Sequence, residues 1–429
     1  MHNTLTFDCE TSSLDPFTGR LLCTAVKHND GVTMMFSTVK ELQDSCGMWF
    51  ADPAVLKVGH NLPFDVKWLR QNGVTVVGPY FDTKVAARYK DPYTSNRLKD
   101  LAVSVLGVKN PVTFKSLLGK GKKRKKSLSE VDSSVREQYC KDDVEYTYGL
   151  YKHYSTNPNP FFTLIEGRLT DVVVDMECSG FTVDQQQLQS LRIYLEAERD
   201  TVVKKYPGIN LNSPKQVLEA MIARGYSREL SLYASHGQAT STNKLILRSM
   251  AQQVTMASDI LRHRTVGKLL SSYVVPMTGV TTLRGSFNQV GTKTGRFSSS
   301  KPNLQQVPKR SKDGLLVRKC LVPRPDHVFV VSDLSQIEPR LYAQASRDPR
   351  LLQVFRTGGD FHALVTQAMF GRVSISKDER QVGKVLGLSM LYGAGTRRLL
   401  ETLVKEGILN ITEADVESFR RKVTSTFRH

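Results

Sequence analysis

The 429 residues hold two tryptophans and six cysteines, and no two cysteines form a C-x-x-C pair. Cys9, Cys23, Cys46, Cys140, Cys178 and Cys320 lie far apart, which excludes a zinc ribbon or a disulfide framework and suits a reducing, cytosolic compartment. No apolar run approaches the roughly 20 residues that span a bilayer, so no membrane partner is expected. The opening Met-His-Asn-Thr-Leu-Thr-Phe lacks the basic start and apolar core of a signal peptide. Gly-Lys is nowhere followed by Ser or Thr, which excludes a P-loop, and no internal repeat is present. Acidic residues are short: 41 against 60 basic ones, a net charge of +19. A surplus of that size favours a polyanionic partner through long-range attraction and counterion release, and nucleic acid is the commonest such partner.

What is present reads as mixed strand and helix. Leu5-Thr6-Phe7-Asp8-Cys9-Glu10 alternates as a strand does. A helix is expected from Ser133 to Tyr154, and Asn157-Pro158-Asn159-Pro160 marks a domain joint. Further helices are expected over Phe161 to Cys178 and Gln185 to Lys205, with a short strand near Phe181. Ser213 is expected to cap a helix with Pro214 in its first position. Val328-Phe329-Val330-Val331-Ser332-Asp333 reads as a buried strand ending on a carboxylate, and the remainder as mostly helical. From Val108 to Lys126 there are eight basic residues and no acidic one. That run fits a solvated loop, a nuclear localisation signal or a loop tracking the phosphates of single-stranded DNA.

Four Asp-x-Glu pairs occur: Asp8/Glu10, Asp143/Glu145, Asp175/Glu177 and Asp415/Glu417. Only the first is expected in a strand, where residues two apart share a face and can share a metal. Gly59-His60-Asn61-Leu62-Pro63-Phe64-Asp65 adds a third carboxylate after a short strand. Tyr139-Cys140-Lys141-Asp142-Asp143 adds a tyrosine and a carboxylate four apart on one helix face. This order of Asp-x-Glu, Asn-x-x-x-Asp and Tyr-x-x-x-Asp resembles the DEDDy exonuclease family over residues 1–156. The resemblance implies an RNase H-like fold and 3'-to-5' hydrolysis from a single-stranded DNA 3' end. It implies Asp8, Glu10, Asp65 and Asp143 as ligands of two divalent ions and Tyr139 as the residue that orients water. By ligand hardness those ions are Mg²⁺, with Mn²⁺ fitting the same oxygens.

The second half carries longer motifs. Thr294-Gly295-Arg296-Phe297-Ser298-Ser299-Ser300-Lys301-Pro302-Asn303-Leu304-Gln305 is followed by Asp333-Leu334-Ser335-Gln336-Ile337-Glu338-Pro339-Arg340. Then come Asp360-Phe361-His362, Arg380-x-x-x-Lys384 and Tyr392-Gly393. In this order they resemble family A DNA polymerases. The resemblance implies that Arg296, Asn303 and Gln305 contact primer–template DNA and that Asp333 binds the catalytic metals. It implies that Gln336, Glu338, His362, Arg380, Lys384 and Tyr392 surround a deoxynucleoside triphosphate, with Glu338 excluding a ribose 2'-hydroxyl. Positions 380, 384, 388 and 392 lie four apart, so one broad helix face is expected to carry two cations and a ring.

The expected class is therefore α/β: an RNase H-like exonuclease (1–156), then a partial right-hand polymerase with thumb and part of the palm (157–345) and part of the fingers (346–429). The layout looks like the compact bacteriophage type. Leu334, Pro339 and Leu388 depart from the family pattern, and no His-Asp-Glu triplet occurs to supply the palm's second metal ligand. A DNA-directed DNA polymerase with proofreading exonuclease, completed by a second chain that carries the missing motif, is the leading expectation. A free-standing exonuclease with an inactive, DNA-binding polymerase remnant is the alternative, and a DNA-binding module without catalysis a third.

Overall fold

The computed structural model describes residues 3–119, 121, 124–156, 162–232, 242–309, 311–405, 408 and 411–427. The joint at Asn157–Pro160, Ser241, and Lys120, Lys122 and Lys123 of the basic run lie outside them. The chain forms two compact units, one of residues 1–188 with 272–322 and the other of 189–271 with 323–429.

The first unit is built on a five-stranded sheet of order β3-β2-β1-β4-β5. Its strands are β1 (Thr4–Thr11), β2 (Leu21–His28), β3 (Met34–Phe36), β4 (Leu56–Gly59) and β5 (Tyr80–Asp82). β2 runs antiparallel to β1 and β3, whereas β4 runs parallel to β1 and β5. β1 is central, and its period of two divides its side chains between the sheet's faces. Leu5, Phe7 and Cys9 join a buried core with Phe50 of α1 (Val39–Ala51) and Leu62, Val66 and Leu69 of α2 (Leu62–Gln71). Asp8 and Glu10 point the other way.

The local chemistry explains the elements. Thr38 and Glu41 close a capping box that starts α1. The turn into α2 needs special backbone: Asn61 sits at φ 75°, and a side chain at Gly59 would meet Leu62 at 2.5 Å. Asp82 accepts from Asn61 N–H at 3.0 Å and Leu62 N–H at 2.8 Å, serving the helix start that Asn61's own side chain leaves uncapped. It also caps α3 (Thr83–Lys90) through Lys84 N–H. α4 (Leu98–Leu106) follows, ending on Gly107 in the left-handed conformation. The short α5 (Phe114–Leu118) precedes α6 (Ser133–Tyr154), which Asp132 caps and which packs on β1 and β2. The expected helices over Gln185–Lys205 and from Pro214 are present, as is the short strand Phe181–Val183.

The second unit is largely helical. One core gathers around helices Pro214–Ala223, Lys244–Met250 and Thr255–Leu269. Another gathers around Phe361–Phe370, Lys377–Leu391 and Glu413–Thr426.

Two expectations are corrected here. Val328–Asp333 is neither strand nor buried: it is irregular chain, and Val328, Val330 and Val331 are 81%, 89% and 88% exposed. A strand needs a ladder neighbour for its N–H and C=O groups, and no described segment pairs with this one. The helix Lys377–Leu391 carries Arg380, Lys384 and Leu388, but Tyr392 is already its C-cap and lies mostly exposed.

Candidate active site

In the first unit the strand register sets Asp8 opposite Ala25 and Glu10 opposite Cys23, on the face that α6 covers. Residues 139, 140 and 143 of α6 meet them. Cys140 approaches Asp8 with Sγ 3.4 Å from its backbone oxygen and 3.6 Å from Oδ2. Asp143 accepts a hydrogen bond from the Tyr139 hydroxyl, the contact expected of side chains four apart on a helix. Asp65, in the first turn of α2, accepts the Cys9 N–H at 3.1 Å, which draws its carboxylate to the backbone between Asp8 and Glu10.

Electrostatics bind these groups into one unit. The Asp8 carboxyl is pushed up to about 8, by removal from water and then by repulsion from Asp143, with Lys99 opposing. Burial and repulsion from Asp8 hold Glu10 and Asp65 well above the usual carboxylate range. Asp143 rises to about 6 because burial outweighs the help of Lys99 and Tyr139. The Tyr139 phenol is raised, first by burial and then by the surrounding carboxylates, and stays protonated. Glu10 is 7% exposed, and no hydrogen bond or ion pair to it exists among the described residues. Acids driven toward their protonated forms, one without a partner, are what a cation site shows when protons do the neutralising. The four carboxylates of this set suit a hard divalent ion.

Three residues of this site escaped the sequence. Lys99, from α4, ion-pairs with Asp143, and its ammonium stands 4.1 Å from the Tyr139 ring centre and 4.9 Å from that of Tyr146. Asp82 holds the turn that presents Asp65, and the pattern of an aspartate directly before a helix was its only signal. His60 bridges the Thr83 hydroxyl at 2.9 Å and the Asn96 carbonyl at 3.1 Å, and burial lowers it to about 3. It is neutral and braces the turn.

The glutamates of the other Asp-x-Glu pairs, and Asp415, are taken up by structure. Glu145 accepts from Lys27 at 2.8 Å. Glu177 pairs with Lys67 at 2.5 Å and accepts Phe287 N–H. Asp415 caps the helix Glu413–Thr426, and Glu417 accepts from Thr396.

Also in the first unit, Arg296 and Gln305 are exposed. Asn303 sits at the start of a short 3₁₀ turn, its amide oxygen buried without a hydrogen-bond partner in the described structure.

In the second unit an open cleft of about 430 Å³ is lined by Asp333, Gln336, Glu338, His362, Arg380 and Lys384, with Leu388. Asp333 is exposed. Gln336, at φ 53°, accepts Phe361 N–H at 2.9 Å and so ties the motif to the next helix. Asp360 caps that helix and ion-pairs with Arg380. His362 is buried, held low by burial, and its Nδ1 has no partner in the described structure. Tyr392 lines a neighbouring cleft with Arg398.

Residues 182–428 match DNA polymerase family A, and residues 1–156 match the 3'-5' exonuclease family. The chain belongs to DNA polymerase family A. It is 31% identical to DNA polymerase I of Chloroflexus aurantiacus over 92% of its own length and 45% of that protein. It is 30% identical to DNA polymerase I of Synechocystis sp. over 91% of its length and 42% of that protein. The chain thus spans about half the length of the curated relatives it matches. Among solved structures, it resembles the POL domain of Pol1 from M. smegmatis, determined in complex with DNA primer-template and dNTP. The TM-score is 0.76 at 22% identity, covering 99% of this chain and 72% of that one. That likeness establishes the mixed α/β fold.

Proposed function

We propose that this family A chain is a metal-dependent 3'-to-5' exonuclease of the DEDDy kind, joined to the front part of a DNA polymerase. In this reading residues 1–156 form the exonuclease, 157–345 the thumb and part of the palm, and 346–429 part of the fingers. The observation that carries it is the convergence of Asp8, Glu10, Asp65, Asp143 and Tyr139 from a strand and two helices.

Asp8, Glu10, Asp65 and Asp143 would hold two Mg²⁺ ions, or Mn²⁺ through the same oxygens. What bound divalent ions supply is stabilisation of the attacking and leaving oxygens of an in-line displacement. The chain's own groups do the rest. Tyr139, kept protonated and anchored on Asp143, offers its hydroxyl to orient the attacking water. Asp82 and His60 keep Asp65 in position by fixing the turn before it. In the polymerase part, Asp333 would bind metal, and Gln336, Glu338, His362, Arg380, Lys384 and Tyr392 the deoxynucleoside triphosphate. Arg296, Asn303 and Gln305 would contact primer–template DNA. The cations of Arg380 and Lys384 on one cleft wall suit a triphosphate.

The test is a 5'-labelled primer–template with Mg²⁺, with and without deoxynucleotides. Asp8→Ala should cut primer shortening by more than the ~10–100-fold that loss of an outer-shell metal partner costs, with the fold intact. Unchanged shortening would remove the assignment. Primer extension, if seen and lost in Asp333→Ala, assigns synthesis to the second unit.

A second reading, an exonuclease with a polymerase remnant that only grips DNA, is favoured by the irregular chain before Asp333, where Val328, Val330 and Val331 are exposed. If a second polypeptide bearing a His-Asp-Glu motif completes the palm, adding it restores extension. Failure over a range of concentrations favours the remnant.

A further inference from the structure

We propose that the carboxylate site of the first unit has one sulfur ligand: Cys140 joins Asp8 and Glu10 to take up a thiophilic divalent cation, Cd²⁺ or Zn²⁺. The inference rests on the reading of Asp8 and Glu10 as metal ligands and adds a donor of different chemistry.

The geometry is specific. Cys140 is fully buried, and its Sγ lies with one oxygen of Asp8 and one of Glu10 in a group whose members are all within 4.8 Å of one another. A zinc-sized ion bound at about 2.3 Å from sulfur and about 2.1 Å from oxygen in a tetrahedron sets those two donors about 3.6 Å apart. Cys140 Sγ and Asp8 Oδ2 already stand at 3.6 Å. Glu10, more than nine-tenths buried and without a hydrogen-bond or ion-pair partner among the described residues, faces the same point. The free carboxylate marks the space as one left for a ligand.

The chemistry separates two classes of ion. Carboxylate oxygens suit Mg²⁺ and Mn²⁺, whereas a thiolate selects softer cations. Uptake is a substitution without redox change: the Cys140 S–H bond breaks, an S–metal bond forms, and the proton leaves to solvent. A thiophilic ion so held occupies the site that hydrolysis needs, so Cd²⁺ should arrest primer shortening against excess Mg²⁺.

The test titrates metal-free protein with Cd²⁺ and follows the ultraviolet sulfur-to-cadmium charge-transfer band, with Mn²⁺ binding measured separately by electron paramagnetic resonance. The wild type should show the band, and Cys178→Ser should keep it. Cys140→Ser and Cys140→Ala should lose it, with Cd²⁺ affinity falling about 10- to 100-fold and Mn²⁺ affinity changing less than about twofold, since sulfur contributes little to a hard ion. Glu10→Gln, which leaves the thiol in place, should keep the band and weaken Cd²⁺ binding. No band in the wild type, a band persisting in folded Cys140 variants, or Cd²⁺ affinity unmoved in Glu10→Gln overturns the proposal. Absence of Mn²⁺ binding that depends on Asp8 would instead overturn the reading on which it rests.

Discussion

Two stretches of this chain look alike on paper and behave oppositely: Leu5 to Glu10 and Val328 to Asp333. Each alternates or runs apolar toward an aspartate assigned to metal. The first is a central strand with a neighbour on either side, and its Leu5 and Phe7 are fully buried. The second has no strand partner among the described residues, and its valines stand in solvent. Asp8 consequently sits in an environment that shifts its chemistry, crowded by Glu10, Asp143 and Cys140. Asp333 lines an open cleft from irregular chain. A hydrophobic run specifies a strand only when another segment supplies the ladder and a face to bury.

The comparison can be sharpened by experiment. The largest effect is expected from pH. Asp8 rises from 3.8 to about 8 on folding, so across that interval the folded state keeps a proton that the unfolded state has lost. Stability of the metal-free protein should therefore be fullest below about pH 4 for this group and fall as pH rises toward 8. Thermal unfolding in chelator should show the decline, and Asp8→Asn should flatten it. A wild-type profile no steeper than that of the variant would break the link. Phe7→Ala should cost about 3–5 kcal/mol in denaturant unfolding of the first unit, whereas Val330→Ser should change stability by less than about 0.5 kcal/mol. Equal effects would mean that the two stretches are buried alike. A smaller effect than that of Phe7→Ala concerns Lys99, whose ammonium occupies Asp143. Lys99→Met removes a cation that competes with metal, so Mn²⁺ binding should tighten by up to about tenfold, one pK unit of interaction. Weaker binding would show that the ammonium helps to assemble the site.

Much of the first unit was legible because its signals are local. Period-two alternation put Asp8 and Glu10 on one face, and four-residue spacing put Tyr139 and Asp143 on another. In the second unit, the cap at Ser213 with Pro214 behind it likewise followed from side-chain chemistry alone. The illegible part depends on distant partners. Nothing near Glu145 or Glu177 in the chain reveals that Lys27 and Lys67 neutralise them. Lys99 lies 44 residues from the Asp143 it pairs with. Cys140 looked like one of six scattered thiols until the sheet brought it against Asp8.

The sequence by itself determined the first strand and the long helix Ser133–Tyr154, the order of the candidate carboxylates along the chain and the family to which the chain belongs. Those properties reside in spacing along the chain, which periodicity and capping convert directly into shared faces. Only the tertiary structure decided which lysines neutralise Glu145 and Glu177, which ammonium and thiol enter the site, and that the run before Asp333 stays exposed. Ion pairing, burial and strand pairing are contacts between segments far apart in the chain, and spacing carries no record of them.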